Sequence, residues 1–473
     1  MFAGRARELA ALRRLLTTPE PALVLVTGGR LMGKSRLVRE ACDHKNVIIF
    51  RAAEETARLN FQAFKRTCLQ RLPNAGLDAA TDWPGLLTAL AATSAHALAL
   101  VLVLDNFSTL SDADETLPFI IRNFWRSGAA AAGGMKLVLV GANIARMTAL
   151  THGSPAMAEH ALSDCAPELF DLMPLPLHEA AAFFPSYTPE ARIAAYAIFG
   201  GVPAYLASCD PDKPLAGNIL DLMLVADGRL VDEPLHILSY GLRDVKVYAS
   251  ILRAIANGHR ESGEIRTFVM GAQTGMSISS YLERLRAMRL IEGVRSLDAD
   301  PKSRYMRFTI CDPLTRFWNL FVQPNRGTIE NGGGRDLFET TIRRQLGDYM
   351  VSGFEAICRN YIRSHGDHLF NVRPPAVGQM WGQGYNIPVA ACQPGRGPLF
   401  GACAWQVQAV SEAGLAHLTQ QARLSGFWPE DDDQPEPDYV LFSRSGFTPD
   451  VESHARQSPH LRLVTPADIF EAA

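Results

Sequence analysis

Residues 28–35 read Gly28-Gly29-Arg30-Leu31-Met32-Gly33-Lys34-Ser35, and this octet constrains the fold more than any other stretch of the chain. It has the spacing G-x-x-x-x-G-K-[ST], with an apolar run at 22–26 before it and a helix-forming segment at 35–41 after it. Strand, glycine turn and helix in that order aim successive backbone N–H groups at a phosphate, and the helix start adds the positive end of its dipole. Lys34 is the expected donor to the outer phosphates and Ser35 the expected Mg²⁺ ligand. Gly28, Gly29, Arg30, Gly33, Lys34, Ser35 and Arg36 are therefore candidate contacts to a nucleotide.

At 473 residues the chain is too long for one core, so two to four domains are expected. Apolar residues make up 47% and charged residues 20%, the balance of an ordinary globular chain. A net charge of −3 leaves no electrostatic grip of the whole molecule on nucleic acid. The eight cysteines are scattered without a C-x-x-C pair, which points to reduced thiols rather than a disulfide framework or a zinc site. The charged segment 5–8 begins at once, leaving no room for a signal peptide. The longest apolar run, 95–104, is too short to cross a bilayer. A cytoplasmic protein without membrane contact is expected.

Five strand-like runs, at 22–27, 46–51, 98–105, 136–141 and 169–175, alternate with helical stretches. That order predicts α/β architecture with a parallel sheet. The third run ends Leu100-Val101-Leu102-Val103-Leu104-Asp105 and has the form of a Walker B strand, whose terminal carboxylate joins the Mg²⁺ shell. The next residue is Asn106. An amide can orient a water but cannot take its proton, so hydrolysis is expected to be slow. Asn143, just past the fourth run, is a candidate sensor of the terminal phosphate and completes a catalytic set with Lys34 and Asp105.

These motifs resemble those of the archaeal-type P-loop ATPases, relatives of AAA+ and STAND proteins. The opening Phe2-Ala3-Gly4-Arg5-Ala6-Arg7-Glu8-Leu9 is similar to that family's F-x-G-R-x-x-E-L box, which implies a place near the adenine for Arg5. Gly200-Gly201-Val202-Pro203-Ala204-Tyr205-Leu206 matches its G-G-[IV]-P-x-Y-L segment in a helical lid, implying that Pro203 and Tyr205 couple lid position to nucleotide state. Asp312, Phe317-Trp318, Phe321 and Pro324-Asn325 match a further motif, D-x-x-x-x-F-W-x-x-F-x-x-P-N. The family's arginine before the fifth strand is missing, since 162–165 reads Leu162-Ser163-Asp164-Cys165. That absence again favours slow turnover.

The resemblance and the element pattern together give an ATPase core at 1–178, a helical lid at 179–240, a winged helix-turn-helix at 241–326 and a restriction-endonuclease-like α/β domain at 335–473. Thr188 and Pro189 are expected to start a lid helix that Gly200 and Gly201 end. In the winged segment Arg284, Arg286 and Arg289 are candidate phosphate contacts for double-stranded DNA. Against that, nine basic residues face seven acidic ones in 241–300, so no intense basic stripe exists. The glycine-rich stretch 327–334 reads as a hinge.

The tail keeps the endonuclease outline without its chemistry. Glu355 stands where the family has its helix glutamate, but Pro388 occupies the aspartate position and Ala402 and Ala404 the glutamate and lysine positions. One carboxylate cannot assemble a Mg²⁺ nuclease centre, and the acidic run 430–433 reads as a solvated loop. The expected function is ATP·Mg²⁺ binding with slow ATPase turnover, a switch that sets the arrangement of the winged helix and tail. The alternative is a DNA-binding regulator with a structural phosphate loop. An active nuclease is the least consistent reading. A protein partner or self-association is compatible with the tail as an interaction surface.

Overall fold

A computed structural model describes residues 3–42, 46–96, 99–152, 162–239, 242, 244–271, 277–300, 302–371, 374–392, 397–427 and 436–471. The opening Phe2, Leu98, Arg243 and the acidic run 430–433 lie outside them. The chain divides into two compact units. The first comprises residues 1–175 together with 202–204 and 287–289, and the second the remainder. No described helix is long and apolar enough to cross a membrane.

The first unit has the P-loop NTPase fold. Its sheet is built from β1 (Ala22–Gly28), β2 (Val47–Arg51), β3 (Val101–Asp105), β4 (Lys136–Val140) and β5 (Glu168–Leu172), in the spatial order β2-β3-β4-β1-β5. Every pairing is parallel. The carboxyl ends of β1, β3 and β4 therefore lie side by side, the place where open α/β sheets bind ligands. The expected fifth strand stops at Leu172 rather than 175, because Pro174 and Pro176 lack the N–H that a ladder needs.

The three central strands sort their side chains by size. Leu23, Leu25, Leu102, Leu104, Leu137 and Leu139 face one core cluster. Val24, Val26, Val101, Val103, Val138 and Val140 face the other. Strand periodicity of two makes this separation. The valine face packs against Leu12 and Leu16 of the helix Ala6–Thr17 and against Leu37 and Val38 of the helix Lys34–Ala41. The smaller side chains allow the helix that follows the phosphate loop to lie close to the sheet.

In the second unit the helix Pro189–Phe199 starts as expected. Thr188 Oγ1 accepts the Ala191 N–H, and Gly200 ends the helix with φ +68°. Helices Val245–Ala256, Ser262–Met270 and Ser279–Ala287 then precede an antiparallel pair, β6 (Ile291–Val294) and β7 (Arg307–Ile310). This is the element order expected for a winged helix. Asp312 caps the helix Pro313–Phe317 by accepting the Thr315 N–H, and Trp318 Nε1 donates to the Val231 carbonyl at 2.6 Å. The stretch expected as a hinge is instead helical, Arg326–Glu330 followed by Gly334–Leu337. A Cβ on Gly334 would fall 1.8 Å from the Leu224 carbonyl oxygen, so that glycine permits close packing rather than bending.

The tail forms a mixed sheet of β8 (Ala376–Gly382), β9 (Tyr385–Cys392), β10 (Leu399–Ala404), β11 (Asp438–Ser443) and β12 (Leu461–Val464), in the order β12-β11-β10-β9-β8. The long helix Arg343–Phe370 precedes it. Pro388 lies in β9 where the register with β8 shifts between Gly378 and Met380. A residue without an N–H is tolerated in a sheet at such a bulge. The freed Gln379 carbonyl accepts the Leu297 N–H at 2.9 Å.

Candidate nucleotide-binding site

The phosphate loop leaves β1 through Gly28, whose φ is +137° and whose added Cβ would lie 2.5 Å from the Leu172 carbonyl oxygen. No other residue type fits this exit beside β5. Gly33, at φ +82°, sits immediately before the helix Lys34–Ala41. Its Cβ position is 3.8 Å from Pro203 Cγ, so the proline singled out from sequence stands against the loop. Tyr205 is buried in the second unit.

Lys34 is 8% exposed, and its ammonium donates to the Gly28 carbonyl at 3.0 Å and the Gly29 carbonyl at 2.6 Å. Burial lowers its pKa to about 8, opposed by the charge of Asp105 and assisted by that of Arg5. Arg5 is itself buried, at 5% exposure. It donates to the carbonyls of Met32 and Met173 and pairs with Glu8 at 3.1 Å. It thus ties the phosphate loop to the segment after β5 while contributing positive charge beside Lys34. Arg30 and Arg36 are exposed, and Arg36 lies 3.8 Å from Glu40 on its own helix.

Ser35 Oγ donates to Asp105 Oδ1 at 3.0 Å, although 70 residues separate them. The Asn106 N–H also donates to Oδ1, at 3.0 Å. Asp105 is buried, and its other oxygen, Oδ2, has no hydrogen-bond partner among the described residues. A buried carboxylate oxygen left bare is costly unless a cation or water completes it. The Ser35 hydroxyl oxygen and this uncompensated carboxylate oxygen are two hard donors side by side, a set that fits Mg²⁺. Thr27 Oγ1, at the end of β1, is likewise buried without a partner among the described residues.

Asn106 has φ +59° and precedes the helix Phe107–Ala113. Asparagine accepts this left-handed backbone more readily than most residues. Its side-chain N–H₂ donates to the Ala52 carbonyl at 3.2 Å, which stitches the end of β3 to that of β2. Asn143 follows β4, between the phosphate-loop and Asp105 strands. Its Oδ1 accepts the Arg146 N–H at 3.1 Å, the cap of the helix Ile144–His152.

Two features escaped the sequence. Arg146 donates to the Ser111 carbonyl at 2.9 Å and lies 3.5 Å from Asp112, fixing the helix after Asn106. Near 162–165, Arg122 hydrogen-bonds Asp164 and Arg126 approaches it at 3.7 Å. Both come from the helix Leu117–Arg126, about 40 residues earlier in the chain, a distance that no local pattern could bridge. One expectation is corrected. Arg289 is not a free phosphate contact, because its guanidinium grips Asp171 of β5 through two bonds, at 2.9 and 2.6 Å. Arg284 and Arg286 remain exposed.

Residues 318–415 match the family model DUF234, described as archaea bacterial proteins of unknown function. An uncharacterized protein of Methanocaldococcus jannaschii is 24% identical over 398 residues, which span 83% of this chain and 84% of that relative. Among solved structures, the chain is similar to a Walker-type ATPase of Pyrococcus abyssi at 17% identity and a TM-score of 0.49, covering 67% of this chain and 96% of that one. It is also similar to the ORC2 protein of Aeropyrum pernix, solved as ADPNP–ADP complexes, at 12% identity and a TM-score of 0.44, covering 69% and 96% of the two chains.

Proposed function

We propose that this chain, which resembles the archaeal-type P-loop ATPases, binds ATP·Mg²⁺ in its first unit and turns it over slowly, acting as a nucleotide switch. The observation that carries the reading is the Ser35–Asp105 contact of 3.0 Å with Asp105 Oδ2 buried and unpaired. The loop N–H groups and Lys34 would cradle the phosphates. Ser35 and Asp105 would hold Mg²⁺, which when bound neutralises charge on the phosphate oxygens. Arg5 keeps the loop in place through Met32 and Met173 and adds positive charge beside Lys34.

Slow turnover follows from the position after Asp105. A water beside the terminal phosphate would meet the amide of Asn106 or Asn143, neither of which takes a proton at neutral pH. Asn106 is further committed to the Ala52 carbonyl. In the tail, the charges that act on Glu355 are those of Arg359, Arg260 and Arg316, an environment that does not suit a divalent-metal nuclease centre.

Calorimetric titration and single-turnover hydrolysis, with and without duplex DNA, test the proposal. Wild type should bind ATP·Mg²⁺, and Lys34→Ala and Asp105→Asn should each lose affinity. Asn106→Glu, which supplies a base, should raise the hydrolysis rate at least about tenfold with little change in affinity. Equal, negligible binding by wild type and Lys34→Ala overturns the reading. Salt-dependent duplex binding that ignores ATP and disappears on replacing Arg284 and Arg286 would favour the DNA-binding regulator instead.

A further inference from the structure

In the second unit, three arginines from separate elements lie around Glu355, the one glutamate of the endonuclease outline that the tail retains, and a fourth, Arg307, stands beside one of them. Arg260 opens the turn before the helix Ser262–Met270, Arg307 begins β7, Arg316 lies on the helix Pro313–Phe317, and Arg359 lies on the long helix that carries Glu355. Glu355 lies within electrostatic reach of Arg260, Arg316 and Arg359, and Arg260 in turn feels Arg307, Arg316 and Arg359.

Each arginine is held by something other than an acid at the centre. Arg359 Nη1 donates to the Pro388 carbonyl at 2.7 Å, the strand position at which the resembling family has an aspartate. Arg316 stacks on Tyr349, with Cζ 4.1 Å from the ring centroid, and donates to the Tyr349 carbonyl at 3.0 Å. Its Nη2 comes within 3.4 Å of the Cβ position of Gly353, two residues before Glu355. Arg307 lies over Trp381 at 4.8 Å, with Glu261 3.9 Å from its Nε. The Arg260 main chain is fixed at both ends, its N–H donating to Glu264 and its carbonyl accepting from Phe308.

With Glu261 on Arg307 counted beside Glu355, four guanidinium groups face two carboxylates in a half-buried setting, where like charges repel more strongly than in water. Arg316 Nε is buried with no hydrogen-bond partner among the described residues. Aromatic faces position guanidinium planes while leaving their N–H edges available, and such edges match phosphate oxygens in bidentate fashion.

We propose that Arg260, Arg307, Arg316 and Arg359 form a second anion site, distinct from the phosphate loop, that takes a compact phosphate-bearing ligand beside Glu355. The ligand is bound and not cleaved. The carboxylate repels it and so limits its affinity, while the four guanidinium groups supply the attraction. The same chemistry would serve a free phosphate compound or one backbone phosphate of a nucleic acid.

The test uses inorganic pyrophosphate titrated calorimetrically at constant ionic strength into full-length Lys34→Ala protein, in which the phosphate loop is disabled. Its result is thereby independent of the ATP proposal. Saturable binding is expected. Arg359→Gln should weaken it roughly tenfold, as loss of a charge-assisted phosphate contact does. Glu355→Gln should tighten it several-fold. These opposite signs separate ligand contact from damage to the fold, because misfolding weakens binding in both variants. Displacement of pyrophosphate by duplex DNA assigns the site to a nucleic-acid backbone, and failure to displace it assigns the site to a free phosphate compound. Absence of saturable binding, or binding indifferent to both substitutions, overturns the proposal.

Discussion

At the scale of single residues, Lys34 makes a pH-dependent prediction. Its folded pKa is about 8 against an ordinary 10.5, because burial penalises the ammonium. The unfolded chain thus binds more protons between these values, and the stability contribution of this group rises with pH across that window. A phosphate beside Lys34 reverses the imbalance by favouring the charged form. Nucleotide binding above pH 8 should therefore take up a proton, and affinity should fall by up to about tenfold per pH unit as the ammonium is lost. Titration in buffers of different ionisation enthalpy reads the proton directly. Lys34→Arg keeps its charge at any accessible pH, so that variant should bind with a flat profile above pH 8. A flat profile in wild type would contradict the assignment. The octet around Lys34 was legible because its geometry is local. That Ser35 and Asp105 would serve one Mg²⁺ was an expectation of the sequence, whereas their direct contact appears only in the fold. The carbonyls that hold Arg5 were not legible, because Met173 lies 168 residues from Arg5.

At the scale of elements, what could be read from the sequence depended on whether the signal was periodic or positional. Runs of apolar residues located all five strands of the first sheet, and the Thr188–Pro189 start and Gly200 stop fixed a helix. Composition failed at 327–334, where glycines suggested a hinge. There Gly334 is selected by the nearby Leu224 carbonyl, a constraint from a distant part of the chain. Pro388 shows the same limit, since only the pairing with β8 reveals that it occupies a bulge. The Phe317-Trp318 motif likewise gains a physical role only in the fold. Phe317 packs in a ring cluster with Phe321 and Tyr349. The buried indole N–H of Trp318 reaches Val231, whose carbonyl also accepts from Arg326 at 3.2 Å. Replacing Trp318 by Phe removes the shorter bond and some buried volume while Arg326 keeps the acceptor partly satisfied. The expected cost is about 2 kcal/mol. Urea titration should show a lower midpoint with an unchanged slope, the mark of lost stability without altered compactness. A midpoint within error of wild type would show that the motif does not anchor this region.

At the scale of the whole molecule, the division into units follows the chain except at two short returns. Residues 202–204 and 287–289 cluster with the first unit, while the sequence on either side of each belongs to the second. The first return places Pro203 against the phosphate loop at Gly33, and the second places Arg289 on Asp171 of β5. The proposed switch needs an element that both nucleotide and the second unit bias, and these covalently continuous returns are where that proposal is tested. The motif around Pro203 already implied that this segment responds to nucleotide state, whereas Arg289 looked like one of three candidate phosphate contacts in the winged segment. ATP·Mg²⁺ binding only to native protein stabilises it by about 2.7 kcal/mol at a hundredfold excess over Kd. If the returns transmit that stabilisation, ATP·Mg²⁺ should raise the thermal transitions of both units in wild type. Asp171→Ala removes the grip on Arg289 without touching the loop, Ser35 or Asp105. That variant should bind ATP·Mg²⁺ with near-normal affinity and keep the shift of the first unit, while the shift of the second shrinks. Differential scanning calorimetry with and without nucleotide measures both. Identical shifts in wild type and Asp171→Ala would exclude the Arg289 return as a coupler and leave the segment at Pro203 to carry the signal.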